Sequence, residues 1–247
     1  MSRSKSKSRL LLLGLGLGAL GALVWAAVLT AQPESEVNTL SEEERAQGWR
    51  LLFDGRTFDG WRGYGGEKVP EAWEIQDGAM AYVPGKQDRG DIMTEDEFKN
   101  FELRLQWKIS PGGNSGIFFH VDGGQDWSWQ TGPEMQVLDN EGHADGRSPL
   151  TSAGSNYALH APSSDVTRPV GEWNQVRILV EGPHVEHWLN GVKIVEYELW
   201  SEDWEQRVEA SKFKDMDGYG RAGRGHIVLQ DHGNKVWFRD IKIRPIQ

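Results

Sequence analysis

The chain has 247 residues, no cysteine, and 37 acidic against 27 basic side chains, which gives a formal net charge of −10. Without cysteine it cannot form a disulfide, use thiolate chemistry, build a cysteine-based zinc site or carry a lipidated cysteine. The acidic balance disfavours a nucleic-acid partner and fits a neutral, sugar-like ligand.

The first segment is typical of a membrane or export signal. Four basic residues lie among the first nine, and an uncharged run of twenty-two residues follows from Leu10 to Ala31. That run is long enough to span a bilayer, and the basic residues before it predict an amino terminus in the cytoplasm and a body outside. Leu29 occupies the −3 position for a cut after Ala31, so a cleaved signal and a retained anchor both stay open. We therefore expect residues 1–31 to be a signal peptide or membrane anchor, with residues 10–31 as the anchoring segment, and the body to be periplasmic or extracellular.

The composition turns polar after the leader, which predicts a linker over residues 32–44 and a single domain over residues 45–247. Thr39 or Ser41 can cap a short helix through Glu44, because carboxylates follow in its first turn. The run from Trp49 to Trp61 contains two Asp-Gly steps between apolar residues, which indicates strands and turns.

Strand patterns then follow one another along the chain. Residues 101–109 are the cleanest case, because Phe101 and every second residue after it are apolar while the residues between are polar. Hairpins are predicted over residues 73–83, around Asn190 and Gly191, and at the end of the chain with a turn near His232 and Gly233. Further strands are predicted at residues 115–121, 134–138 and 172–180.

Only one other helix is indicated, a short one that begins at the cap Ser201 and is followed by a glycine-rich loop. Many strands with local turns and almost no helix predict an all-β fold, an antiparallel β-sandwich or jelly roll. The chain shows no repeat of fixed period, which argues against propellers and solenoids.

The stretch from Gly112 to Asp139 carries polar groups inside two strand-like runs. Glycines flank Asn114 in the first run, which suggests a close backbone approach or a bulge. In the second run the period of two sets Glu134 and Gln136 on the face opposite to Met135 and Val137. The stretch therefore reads either as one wall of a binding site or as a glycine-rich turn that feeds an ordinary core strand.

Polar residues at strand ends supply the candidate site, and eleven tryptophans outside the leader could supply stacking faces for sugar rings. The candidates are Asn114, His120, Glu134, Gln136, Asp139, His143, Asp145, Tyr157, Glu172, Gln230, Asp231 and His232.

Three of these candidates carry specific alternatives. Glu134 has apolar neighbours, so a raised pKa and an acid or base role compete with a solvated surface glutamate. Glu172 lies in G-E-W-N and could equally be a turn carboxylate. Asp139, His143 and Asp145 lie in or beside an acidic loop that could hold a divalent cation or could simply be solvated. A divalent cation is thus the only cofactor that the sequence indicates.

An ordered set of short motifs resembles a known family. The motifs G-G-N-S-G-I, P-E-M-Q-V-L-D-N, G-E-W-N, L-N-G, S-K-F and L-Q-D-H-G occur in that order from about Trp49 to the end of the chain. Together they resemble the 3-keto-disaccharide hydrolase domain. The resemblance implies a concanavalin-like jelly roll, export by bacteria, and action on disaccharides or glycosides oxidised at C3. Asn156 departs from the family pattern, which often has an aliphatic residue there.

The chemistry of such a substrate follows from its ketone. A ketone at C3 acidifies the proton on C2, so one base and an electrophile on the C3 oxygen allow the sugar at C1 to leave by elimination, and water addition completes hydrolysis. We expect the base to be Glu134 or His143, and the electrophile to be Asn114, Gln136 and His232 or a cation near Asp139 and Asp145. The catalytic candidates are Glu134, His143, Glu172 and His232, and the substrate-binding candidates are Asn114, His120, Gln136, Asp139, Tyr157 and Gln230.

Two other functions stay open at this point. The same face could belong to a lectin-like module that binds glycan without turnover. An ordinary retaining glycosidase could use Glu134 and Asp139, although five positions along a strand place two side chains on opposite faces. The expected partner in every case is a sugar, without nucleic acid, and the sequence carries no signal for an oligomeric state.

Overall fold

Two antiparallel sheets packed face to face form the body of the protein in the computed structural model, which describes residues 37–246. The predicted signal peptide or anchor at residues 1–31 lies outside the described residues. Within residues 37–246 no helix combines the length and the apolar character needed to cross a bilayer. The all-β prediction is confirmed.

The described chain contains thirteen strands, two α-helices and three short 3₁₀ turns. The strands are β1 Arg50–Leu51, β2 Trp61–Gly63, β3 Trp73–Gln76, β4 Ala79–Tyr82, β5 Ile92–Thr94, β6 Phe101–Ile109, β7 Asn114–Val121, β8 Glu134–Leu138, β9 Asn174–Glu181, β10 His184–Leu189, β11 Val192–Glu198, β12 His226–Leu229 and β13 Val236–Pro245. The helices are α1 Glu42–Ala46 and α2 Glu202–Glu209, and the 3₁₀ turns are Ser128–Gln130, Ala144–Arg147 and Pro149–Thr151.

The first sheet has eight strands in the order β11-β10-β9-β6-β13-β4-β3, with β1 paired to β13. The second sheet has five strands in the order β2-β5-β12-β7-β8. Apolar side chains from the two facing surfaces fill the space between them, and the rings of Phe101 on β6 and Phe119 on β7 lie 6.2 Å apart. Met135 and Val137 on β8 belong to the same core, so Glu134 and Gln136 project from the outer face of the second sheet, as their spacing predicted.

The outer face of the first sheet is covered by its own charged and aromatic side chains. Glu102 lies on the polar side of the β6 alternation, but only 3% of its side chain is exposed, because Arg104, Arg177 and Arg244 donate to its carboxylate at 2.6, 2.9 and 2.7 Å. Two of these guanidinium groups, those of Arg104 and Arg244, also lie over the ring of Trp49. This surface is thus occupied by the protein itself.

Two of the three predicted hairpins are confirmed. Asp77 and Gly78 connect β3 to β4, and Asn190 and Gly191 connect β10 to β11, with positive φ at all four residues. Such φ values are what a two-residue type I′ turn requires.

The third predicted hairpin, at the end of the chain, is wrong. Strand β12 pairs with β5 and β7 in the second sheet, whereas β13 pairs with β4 and β6 in the first. The physical reason is the length of the connection, since residues 230–235 cross between sheets that pack about 10 Å apart. This crossing places Gln230 and His232 just after the end of β12, the central strand of the second sheet.

Both helices begin at their predicted caps. Ser41 accepts a hydrogen bond from the Glu44 amide and forms a capping box with that residue, and Ser201 accepts one from the Trp204 amide at 3.2 Å. Part of the predicted linker packs on the body, because the side chain of Asn38 donates to the Gly78 carbonyl at 2.8 Å. The Trp49–Trp61 run is strand only at its ends, with a loop ordered around Asp54 between them.

Candidate active site

A cavity of about 350 Å³ lies on the outer face of the second sheet, over β7 and β8. It brings together seven of the predicted site residues, which come from five separate parts of the chain. The lining residues are Asn114, Trp129, Glu134, Gln136, Asp145, Tyr157, Lys212, Met216, Gln230 and His232.

Glu134 lies on the floor of this cavity, where β7 offers it a position without a side chain. Gly116 pairs with Gln136, and the Glu134 side chain reaches over this glycine from the diagonal position, so a Cβ added to Gly116 would collide with the Glu134 carboxylate. The glycine-rich run therefore serves a close approach, one of the two readings that the sequence allowed. Glu134 is only 5% exposed.

The Glu134 carboxylate is buried without a donor of its own. Within residues 37–246 no backbone or side-chain group donates a hydrogen bond to it, and burial raises its pKa from 4.5 to about 8. The charge of Lys212 opposes that rise, while Asp91 and Asp145 add to it. Above about pH 8 this carboxylate is ionised and is a stronger base than a solvated glutamate.

Lys212 is the cationic group of the cavity and was not among the predicted site residues. Its ammonium lies 4.2 Å from the centre of the Tyr157 ring, 5.7 Å from that of Trp129 and 5.1 Å from that of Phe213. Burial lowers the pKa of Lys212, and the nearby charges of Glu134 and Asp145 oppose that shift. Lys212 is exposed as a residue, and its ammonium is held by aromatic faces rather than by a hydrogen-bonded carboxylate.

The end of α2 and a row of stacked rings position Lys212. The Ser211 hydroxyl donates to the Val208 carbonyl and accepts from the Phe213 amide, which turns the chain directly after the helix. The Phe213 ring stacks on Tyr219 at 3.8 Å, and Tyr219 stacks on Trp204 of α2 at 6.0 Å. These contacts fix the backbone from which Lys212 reaches the cavity.

Asp145 accepts hydrogen bonds from two other cavity residues. The Asn114 amide donates to its Oδ2 at 3.4 Å, and the Tyr157 hydroxyl donates to the same atom at 3.3 Å. Burial, together with the charges of Asp145 and Glu134, raises the pKa of Tyr157 to about 12. Tyr157 therefore stays protonated and remains a hydrogen-bond donor.

His232 faces the cavity and His143 lies next to it. The two rings are 6.1 Å apart and nearly perpendicular. Burial, and then the charge of His143, lowers the pKa of His232, so its neutral imidazole is the form favoured at neutral pH. His143 accepts a hydrogen bond from the Asp145 amide at 3.1 Å through Nδ1 and is not a lining residue.

The two glutamines of the cavity differ in whether their side-chain amides have hydrogen-bond partners within the protein. Gln136 donates to the Thr151 carbonyl at 3.3 Å and accepts from the Val137 amide at 3.2 Å, so its orientation is fixed by the protein. Gln230, in contrast, has a buried Oε1 without a partner among the described residues. That oxygen is available to a ligand hydroxyl.

Asp139 stabilises a loop, because its carboxylate binds backbone amides. Its carboxylate accepts hydrogen bonds from the amides of Gly112, Glu141 and Gly142 at 2.7, 3.1 and 3.0 Å, and it does not line the cavity. The three predicted cation ligands do not converge: His143 Nδ1 lies 4.0 Å from Asp145, but the Asp139 carboxylate is engaged by backbone amides and does not complete a cluster with them. In the described part of the chain the ligand-like cluster is instead His184, Glu186 and Glu196 on the first sheet, where the Lys193 ammonium contacts both glutamates.

His120 and Glu172 lie away from the cavity. A positive φ of 52° at His120 bulges the end of β7, so the ring packs against Phe101 and Phe119 and its Nε2 lies 2.7 Å from the Lys99 carbonyl. Glu172 is exposed in the turn before β9. Neither side chain can contact a ligand bound over β8 in this structure.

Sequence reasoning missed three residues that line the cavity, Lys212, Trp129 and Met216, and it also missed the neighbouring Asp91. Lys212 lies in S-K-F, which was noted only as a family motif. Asp91 is a partly buried carboxylate that accepts a hydrogen bond from the Ser128 hydroxyl, and desolvation raises its pKa to about 6. Its local sequence, R-G-D, is indistinguishable from an exposed turn. The site as a whole combines a proton acceptor, a caged cation and neutral donors.

Comparison with known proteins is consistent with this geometry. The family of 3-keto-alpha-glucoside-1,2-lyase-like domains matches residues 48–244. A 3-keto-disaccharide hydrolase of Bacteroides thetaiotaomicron is 36% identical over 242 residues, which cover 86% of this chain and 83% of that protein.

Solved structures of candidate glycosyl hydrolases are also similar to this chain. A crystal structure of a candidate glycosyl hydrolase from Parabacteroides distasonis is 35% identical with a TM-score of 0.79, and the match covers 86% of this chain and all of the other. A second candidate glycosyl hydrolase from that organism is 28% identical with a TM-score of 0.64, over 80% of this chain and 99% of the other.

Proposed function

Because this chain belongs to the family of 3-keto-alpha-glucoside-1,2-lyase-like domains, we propose that it cleaves the glycosidic bond of 3-keto-disaccharides or 3-keto-glucosides by proton abstraction, elimination and hydration. The chain is a carbohydrate hydrolase of the glycosidase type. One observation carries the finer proposal: the Glu134 carboxylate is buried without a donor and shares its cavity with the caged ammonium of Lys212.

Glu134 is the base in this proposal. It removes the proton from C2 of the 3-keto ring, and the electrons of that bond form an enolate between C2 and C3. A buried carboxylate with a pKa of about 8 is a stronger base than a solvated one, which suits a carbon acid next to a ketone.

Lys212 stabilises the enolate oxygen at C3. The ammonium is held by the rings of Tyr157 and Trp129 and is not neutralised by a hydrogen-bonded carboxylate, so its charge is available to the developing anion. Asn114 and neutral His232 line the same cavity and add donors for the sugar oxygens.

Collapse of the enolate then breaks the bond between C1 and the leaving oxygen and forms a double bond between C1 and C2. The Tyr157 hydroxyl stays protonated, and it turns its one O–H from Asp145 to the leaving oxygen in this step. A water molecule then gives a proton to the departing alkoxide, its hydroxide adds to C1, and protonated Glu134 returns its proton to C2. The sum is hydrolysis, and Glu134 is regenerated.

The environment of Glu134 favours catalysis over a glycan-binding module. Burying a carboxylate without donors costs free energy, and a site that only binds sugar gains nothing from that cost. The alternative of a retaining glycosidase with Glu134 and Asp139 is disfavoured, because three backbone amides engage the Asp139 carboxylate outside the cavity.

A substrate panel tests the proposal. We expect turnover of 3-keto-glucosides and 3-keto-disaccharides, no turnover of their unoxidised parents, and loss of turnover in Glu134→Gln. Glu181→Gln, at an exposed position on β9, is the matched control and should keep wild-type activity. Calorimetric binding without turnover, or cleavage of unoxidised parents at the same rate, would contradict the proposal. Parallel assays with a chelator test whether a cation takes part.

Export to the periplasm or the extracellular space, in a secreted or anchored form, is part of the same proposal. It rests on the basic residues and the uncharged run from Leu10 to Ala31. Cell fractionation of the full chain, compared with a chain that begins at residue 32, would show the body in the cytoplasm in both cases if the proposal is wrong.

A further inference from the structure

A second cavity, of about 500 Å³, adjoins the candidate active site. The two cavities share the side chains of Trp129, Gln230 and His232, so they are neighbouring parts of one cleft. Both volumes fall in the range of roughly 300–1,000 Å³ that is usual for small-molecule sites.

We propose that this second cavity is the subsite for the departing sugar, and that Trp127 is the surface on which the ring of that sugar stacks. The inference rests on the proposed function, because it places the 3-keto ring beside Glu134 and Lys212. The ligand of the second cavity is then a neutral pyranose joined through its glycosidic oxygen.

Trp127 has the exposure expected of a stacking platform. Sixty per cent of this residue is accessible, the largest exposed fraction among the large hydrophobic residues of the described chain. The loop that carries it is nevertheless ordered: the Tyr64 hydroxyl donates to the Gln125 carbonyl at 2.9 Å, and the Trp127 amide donates to Gln130 Oε1 at 2.8 Å. An exposed indole on a fixed backbone is a face for an apolar sugar surface.

Asp91 ties this platform to the candidate active site. Its Oδ2 accepts a hydrogen bond from the Ser128 hydroxyl, next to Trp127, and its Oδ1 accepts one from the Asp231 amide at 2.8 Å, next to His232. One partly buried carboxylate thus fixes the spacing between the stacking surface and the cavity of Glu134. A preset spacing is what a site for two linked rings requires.

The rim of the second cavity provides groups that suit hydroxyls. Arg89 supplies donors, and Asp126 and Asp231 supply acceptors. At the boundary between the two cavities, Gln230 Oε1 is buried without a partner and can accept from a hydroxyl near the glycosidic bond. A flat aromatic group would use Trp127 and leave these polar groups unmatched, and an acidic sugar would meet two carboxylates at this rim.

Two 3-keto substrates of different length test the proposal: a 3-keto-disaccharide and the methyl 3-keto-glucoside, which lacks the second sugar. We expect Trp127→Ala to lower kcat/KM for the disaccharide roughly 3- to 10-fold through lost stacking, and to leave the methyl glucoside unchanged. Trp127→Tyr should restore most of the loss, because it keeps an aromatic face. Trp188→Ala, on the outer face of the first sheet, is the tryptophan control and should behave as wild type.

A 3-keto-glucoside with a flat nitrophenyl group separates the two kinds of leaving group. An equal loss for this compound and the disaccharide would show that Trp127 binds flat groups, and an equal loss for all substrates would show that it acts on the 3-keto ring. Either result, or no loss for the disaccharide, would overturn the proposal.

A binding measurement tests the sugar subsite separately from the proposed reaction. Saturation transfer from the protein to free glucose should be seen for wild type and Trp127→Tyr and should be weaker in Trp127→Ala. If wild type turned over no 3-keto substrate, the proposed function would fail while this signal would still support a sugar subsite. If the transfer were equal in Trp127→Ala, or absent in wild type, the subsite would be refuted even with normal turnover.

Discussion

Replacing Glu134 by Gln should remove activity and, at the same time, stabilise the folded protein above about pH 5. The pKa of this carboxyl is about 8 in the folded protein and 4.5 as the reference for the unfolded chain. Below pH 4.5 the folded and the unfolded protein both hold the Glu134 proton, so ionisation of this residue does not lower the stability. Between pH 4.5 and 8 the unfolded state releases its proton while the folded state retains it, so stability falls as pH rises and levels off above about 8.

The size of the effect follows from the pKa difference. A rise from 4.5 to about 8 corresponds to on the order of 5 kcal/mol of unfolding free energy. That pKa already contains the attraction between Glu134 and the Lys212 ammonium. The buried Gln amide, which also lacks partners, costs roughly 1–3 kcal/mol. We therefore expect a stabilisation of roughly 2–4 kcal/mol above pH 8 that shrinks towards zero near pH 4.5.

Urea unfolding at a series of pH values from 5 to 9 measures this difference. Glu181→Gln, an exposed carboxylate on β9, should track wild type throughout. Activity of wild type on a 3-keto-glucoside should rise over the same interval and reach a plateau above about pH 8, because the base acts when ionised. A stability difference that does not change with pH, or a Gln variant that is less stable at pH 9, would refute the reasoning.

Three further predictions concern the surroundings of this carboxylate and the opposite sheet. Lys212→Met keeps the aliphatic stem between the aromatic rings but loses the charge, so kcat should fall on the order of 10²- to 10³-fold in steady-state assays. Because the pKa of Glu134 increases when this charge is lost, the rising limb of the pH profile should also move to higher pH. Gly116→Ala places a Cβ against the Glu134 carboxylate, so activity should be lost while circular dichroism shows a folded protein; normal kcat would mean that the carboxylate can move without cost. Glu102→Gln leaves three guanidinium groups without their buried acceptor and should cost roughly 3–5 kcal/mol in urea unfolding with kcat unchanged. Because these arginines hold the pKa of Glu102 below its usual value, wild type should lose this contribution as pH falls below about 4.5, and the gap between the two proteins should close there.

The strand that carries Glu134 could be predicted in detail from the sequence. A period of two fixes which side chains share a face, and the apolar character of Met135 and Val137 decides which face is core. The hairpins at Asp77 and Asn190 were predictable for a similar reason, since the turn residues themselves demand positive φ.

Sheet partners were not predictable in the same way. The alternation in β12 and β13 is compatible both with a hairpin and with strands of two facing sheets, and only packing against β7 and β6 separates the two. Lys212 shows the same limit, because its place in the cavity depends on stacking of Phe213, Tyr219 and Trp204 rather than on any local pattern. The loop around Asp139 was ambiguous because a carboxylate that captures backbone amides has the same sequence as one that binds a cation.

The contact between Gly116 and Glu134 couples two positions that are far apart in the sequence, so a change at one restricts which residues the other can carry. A lineage that gains any side chain at 116 must displace the carboxylate, and a lineage that loses the carboxylate is free to gain a side chain at 116. Relatives that retain both residues would then be those that still abstract a proton, and relatives in which both have drifted would be those that only bind sugar. A pair of residues on neighbouring strands thereby offers a way to sort catalysts from binders within one fold.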